Sequence, residues 1–211
     1  MRRMIVGSVL VLVALAGCAR GLNGPGGPGI SPSGAGASTP PGGEDTQSPP
    51  STTPKGVANL SSAARVEIFS AMLRRYLTTP DNSFSDVPPF LSVWMLDHTD
   101  PSAGDPMSGP RTGEPITATE QAAIRAALAD VLPVKFVSDR SQVIETVDGC
   151  ARVRDGGVLI TVGPPRGGPD RVEVAINGFV ACLGATWFTY VVVRQAGGWA
   201  VTGTTGPVAI A

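Results

Sequence analysis

One histidine, His98, is all the imidazole in this 211-residue chain, and that scarcity closes several routes at once. A zinc site built on two or more histidines is excluded, and neither HExxH nor CxxC occurs. No GxSxG elbow is present to place a nucleophilic serine. Charge is sparse and balanced, with 16 Lys and Arg against 17 Asp and Glu and no long run of one sign. That leaves neither the footprint of a nucleic-acid binder nor a polybasic segment for anionic lipid. The glycine-rich stretch Gly163–Asp170 carries prolines, which lack the backbone donors that a phosphate cradle needs, so it reads as a hairpin loop. Aromatic residues make up only 5% of the chain, and Trp94, Trp187 and Trp199 read as core rather than as a ligand platform. No cofactor is expected.

What the chain does have begins at its first residues. Met1-Arg2-Arg3 is a positive n-region, and residues 4–14 (MIVGSVLVLVA) are an apolar segment too short to span a bilayer as a stable helix. Leu15-Ala16-Gly17-Cys18 follows. These residues resemble the lipobox of bacterial lipoproteins: an apolar residue, two small ones and a cysteine. The resemblance implies that residues 1–17 are a lipoprotein signal peptide, that the Cys18 thiol takes a diacylglyceryl group, and that a peptidase cuts before it. It further implies palmitate-type acylation and a lipid-anchored place on the extracytoplasmic face of the cell membrane, since two or more acyl chains anchor stably where one does not. An ordinary secretory signal or an uncleaved anchor is the alternative. Loss of Arg2 and Arg3 would move the formal charge from −1 to near −3.

Of the chain's 27 glycines and 20 prolines, 10 and 8 crowd the next stretch, 18–57, together with Ser and Thr. Such a composition buries too little apolar surface to offset its ordering entropy, so it reads as a disordered tether. Taken as a flexible coil it would span roughly 30–35 Å, and its Ser/Thr/Pro content suits O-linked glycan.

A single α+β domain is expected over 58–211. Ser61 or Ser62 caps an amphipathic helix in which Val66, Phe69, Met72, Leu73, Tyr76 and Leu77 recur at helical spacing before Pro80. Phe90–Leu96 reads as a strand, and a Gly/Pro-rich loop runs from Pro101 to Pro115. Thr117 and Glu120 form a capping box for a second helix, which buries Ile124, Ala127, Leu128 and Val131 and stops at Pro133. Val134–Val137 and Val158–Val162 read as strands. Val172, Val174 and Ile176 alternate with Glu173, Ala175 and Asn177, giving one buried and one wet face. Thr186–Val193 reads as a central strand, and Gly197-Gly198 turns into a last strand, Trp199–Gly203. Short connections predict antiparallel neighbours, hence two amphipathic helices packed on a curved antiparallel sheet.

The leading helix and the closing GGWAVTG strand (197–203) resemble the cystatin-like and nuclear-transport-factor-like cone folds. The domain is also similar to lipoproteins of high-GC Gram-positive bacteria with VLITVGPP and VTGTTGP segments, which stand here at 158–165 and 201–207. These likenesses imply a fold and no activity.

Cys150 and Cys182 remain once lipidation takes Cys18. In an oxidising envelope an even pair forms a disulfide, the alternative being two separate buried thiols. Asp97-His98-Thr99-Asp100 sits at a strand end, where loops collect function. Asp97 or Asp100 could orient His98 for a serine nucleophile, or these residues simply bond their own loop. Asp97, Asp100, Asp105 and Glu114 offer hard oxygens, but the spacing of a calcium loop is missing, so no metal site is assigned. The expectation is therefore an anchored, non-enzymatic module that binds an envelope protein or a small ligand. The alternative is a small envelope hydrolase using His98 with Asp97 or Asp100.

Overall fold

The computed structural model describes residues 60–79 and 90–211. The expected signal peptide, the lipidation site Cys18, the tether and the domain start at residue 58 lie outside them. Helix α1 covers Ser62–Thr78, and its N-cap Ser61 accepts a hydrogen bond from the Ala64 amide at 3.2 Å. Helix α2 covers Ala118–Ala127. Its capping box forms as read: the Glu120 amide donates to Thr117 Oγ1 at 3.3 Å, and the Thr117 amide donates to Glu120 Oε2 at 2.8 Å.

The described residues form nine strands in chain order: β1 Ser92–Leu96, β2 Val134–Val137, β3 Ile144–Val147, β4 Cys150–Val153, β5 Gly157–Val162, the two-residue β6 Arg166–Gly167, β7 Arg171–Ala181, β8 Gly184–Gln195 and β9 Gly198–Ile210. They form one sheet in the order β2-β1-β5-β7-β8-β9. β7 pairs along its length with β8, while its other edge receives β6, β5 and β4 in turn. The α+β class holds. The expected antiparallel sheet is corrected, because β1 runs parallel to both β2 and β5. The reason is the connection. β1 returns to β2 through a long loop and α2, and a crossover of that length makes parallel neighbours where a short turn makes antiparallel ones.

Alternation along the strands sorts the core. Val93 and Met95 of β1, Val158, Ile160 and Val162 of β5, and Phe188, Tyr190 and Val192 of β8 face the helices. They meet Ile68, Phe69, Met72, Leu73 and Tyr76 of α1 and Ile124 of α2. The Tyr76 hydroxyl lies 3.0 Å from Thr186 Oγ1, and a Cβ at Gly178 would overlap it, so glycine there admits the ring. The opposite face carries Trp94, Leu96 and Leu159, covered by Val137, Val143 and Val153. Trp94 and Trp199 are buried as read, and Trp187 is half-buried.

Two further expectations are corrected. The face of β7 read as wet is half-covered: Gly104 of the long loop lies so close to Ala175 that a Cβ on it would touch the alanine at 3.0 Å. Ala127 is exposed, not buried, and α2 ends there. Ile124 and Leu128 supply the core contacts, while Arg74 Nη2 takes the Ala127 carbonyl at 2.6 Å. Cys150 and Cys182 form a disulfide with a Cα–Cα distance of 5.3 Å, tying β4 to the turn between β7 and β8.

Candidate functional site

Parallel strands β1 and β2 end side by side at Leu96 and Val137. The residues just past them therefore converge, and crevices at the carboxyl ends of parallel strands are where α/β sheets take ligands. The chain after β1 is a strap. The Asp97 amide continues the ladder to the Val137 carbonyl, and the Asp100 amide donates to Val162 at the end of β5. The loop then closes on itself through Thr99 to Glu114 and Gly113 to Thr99, with His98 bridging Pro115. After β2 the chain makes a tight 3-10 turn over Arg140–Gln142, capped by Asp139, whose Oδ1 accepts the Ser141 amide at 2.7 Å.

Between strap and turn lies a cleft of about 270 Å³, lined by His98, Asp100, Arg111, Ser138, Asp139 and Arg140 among others. His98 Nδ1 is 2.9 Å from Asp97 Oδ1. An ionised carboxylate there makes Nδ1 the protonated nitrogen, so that a neutral ring presents the lone pair of Nε2. Of the two carboxylates weighed from the sequence, only Asp97 bonds the imidazole. Asp100 is 4% exposed, and its Oδ1 accepts the Ser102 amide at 2.7 Å and meets the Ser102 hydroxyl at 2.6 Å. Ser138 shares the cleft with His98, but its hydroxyl accepts from Gln142 Nε2 at 3.0 Å, and no hydrogen bond joins it to His98 among the described residues.

The carboxylates considered as calcium ligands are dispersed. Asp105 binds the Met107 amide and the Ser108 hydroxyl, and Glu114 pairs with Arg65 at 3.5 Å. Hydrogen bonds from Ser108 and Met107 hold the Asp105 carboxyl below the usual carboxylate range, and those from Ser141 do the same for Asp139, helped by the charge of Arg140.

Arg111, Ser138, Asp139 and Arg140 were not marked by the sequence reading. The available signal was topological: a strand, a helix and a second strand imply a parallel pair, and a parallel pair brings the residues after each strand together. A second, larger groove of about 530 Å³ lies between β4 and the start of β5, lined largely by Phe90, Leu91, Val153 and Val180. Comparison of the chain with protein-family models, curated proteins and solved structures finds no match.

Proposed function

We propose that this chain is a lipoprotein held on the outer face of the cell membrane through Cys18, and that its domain binds a small ligand or envelope partner rather than catalysing a reaction. The anchor reading rests on the n-region, the apolar segment and Leu15-Ala16-Gly17-Cys18. The binding reading rests on one observation above others: the space between helices and sheet is filled by Phe69, Tyr76, Phe188 and Tyr190, so a ligand must use a surface cleft, and the cleft at the ends of β1 and β2 brings His98, two arginines and hydroxyl groups together. We read the long β7–β9 strands beneath α1 as the cystatin-like or nuclear-transport-factor-like part of the fold, with the parallel β2-β1-β5 segment a departure from it.

Fragment binding followed by amide chemical shifts on the full mature chain in detergent tests the site. Shifts clustered on His98, Thr112 and Ser138 are expected. Shifts confined to the groove around Leu91, or none, would overturn the reading.

The hydrolase is a second reading, favoured by the Asp97–His98 bond and by Ser138 in the same cleft. A fluorophosphonate probe discriminates. Labelling at Ser138 that disappears in His98→Ala would establish a nucleophile and its base and displace the binding reading. An unlabelled chain would remove the hydrolase.

A further inference from the structure

We propose that the cleft recognises an anionic oxygen group, a carboxylate or phosphate on its ligand, clamped by the guanidinium groups of Arg111 and Arg140 beside His98. The inference rests on the binding reading of this cleft and adds the chemistry of the ligand.

The carboxylates around the cleft already accept hydrogen bonds within the protein. Asp97 is taken by His98, Asp100 by Ser102 and Asp139 by the Ser141 amide. Each carboxylate that faces the cleft therefore has a donor of its own. The two arginines do not have acceptors. Neither guanidinium makes a hydrogen bond or ion pair among the described residues. Arg111 feels Asp105 and Arg140 feels Asp139 only at a distance, and Arg140 also lies over the Phe179 ring, 5.8 Å from its centroid. Elsewhere Arg152 pairs with Glu145 at 2.7 Å, and Arg154 stacks on Trp94, 4.8 Å from the ring centroid.

Arg140 is half-buried and held in place by the 3-10 turn and the aromatic ring. Arg111 comes from the strap on the opposite wall. Two guanidiniums from separate elements, each with a free donor fork, suit the geometry of an oxyanion, for which arginine forks are well matched. The remaining lining, Thr112 and Ser138, adds hydroxyl groups that accept or donate as the ligand requires. A cleft of about 270 Å³ fits a small molecule or the end of a larger one.

The test is a titration of the full mature chain in detergent with inorganic phosphate and, separately, succinate, at constant ionic strength set with chloride, read by amide shifts and calorimetry. Saturable binding of at least one anion is expected, with shifts at His98, Arg111 and Arg140. The anion that binds more tightly tells phosphate from carboxylate. Arg111→Gln should weaken it about tenfold or more. Because Arg111 is exposed, that variant keeps the fold, which its unchanged spectrum elsewhere would verify. Arg140→Lys keeps the charge but loses the fork and should also weaken binding. Anion binding indifferent to both substitutions overturns the proposal. So does the absence of anion binding while neutral fragments still enter the cleft, an outcome that leaves the binding reading standing. If neutral fragments fail as well, both fall.

Discussion

Tyr76 is buried against Phe188, with ring centroids 6.0 Å apart, and its hydroxyl reaches Thr186. Burial pushes its phenol well above the ordinary tyrosine range, with the Thr186 bond opposing only part of that. The folded state therefore holds the proton that the unfolded chain releases near pH 10. Its contribution to stability is complete below about pH 10 and is lost as pH rises from there toward the folded value. Urea unfolding at pH 9 and pH 11 should show a clear fall in the wild type and a shallower one in Tyr76→Phe. The variant should also be less stable at pH 7 by about 1 kcal/mol, because the buried Thr186 hydroxyl loses a partner. Equal slopes in the two proteins would show that Tyr76 stays protonated in both states or ionises in both. At this scale the sequence marks the core well, since apolar spacing alone picks Phe69, Met72, Leu73 and Tyr76. It does not mark Arg111 or Arg140, because nothing local distinguishes a cleft arginine from a solvated one.

At the scale of elements, α2 begins where its capping box says, and the box is joined to α1. Arg65 Nε sits 3.4 Å from Glu120 Oε1, and Arg65 Nη2 donates to the Pro115 carbonyl at 3.1 Å. Glu120 is 2% exposed, so its carboxylate serves both as cap and as counter-charge. Glu120→Ala leaves the largely buried Arg65 only the exposed Glu114 as counter-charge and opens the half of the capping box that holds the Thr117 amide, and should cost about 3 kcal/mol. Glu120→Gln keeps the cap and loses only the charge, so about 1 kcal/mol is expected. Denaturant midpoints order the two, and equal losses would assign the whole effect to the pair with Arg65.

The β3–β4 hairpin went unread because Ile144–Val147 and Cys150–Val153 leave most side chains exposed or half-buried, which blurs their alternation. A signal was nonetheless present. Asp148 and Gly149 both take positive φ, 53° and 79°, and Asp-Gly between short apolar runs marks a tight hairpin turn. This hairpin is fastened by Cys150–Cys182 across a separation of 32 residues. Opening that link in a Cys150→Ser, Cys182→Ser variant should cost about 3–4 kcal/mol if loop entropy governs it. Hydrogen exchange should show the loss first in β3 and β4, and uniform loss across the sheet would mean the bond restrains the whole domain.

For the whole molecule, what was legible divides by mechanism. Fold class follows from local periodicity, and it holds. Strand direction follows from long connections, which local patterns do not report, and there the antiparallel expectation failed for β1 with β2 and β5. The anchor is a matter of covalent chemistry at one residue, and the proposal stands or falls at Cys18. If the thiol carries diacylglyceryl and the new amino terminus is acylated, several chains each contribute about 0.8 kcal/mol per buried methylene, enough for stable membrane attachment. On this proposal Cys18→Ser would remove the thioether and, with it, the substrate of the cutting peptidase. The wild-type chain should incorporate a clickable palmitate analogue and sediment with membranes. The variant should do neither through this route, accumulating as the uncut precursor, about one kilodalton heavier, since residues 1–17 add roughly 1.8 kDa and the missing acyl chains take away roughly 0.8 kDa. A wild type released into the medium, unlabelled and cut without regard to Cys18, would instead identify an ordinary secretory signal and make the domain a soluble envelope protein.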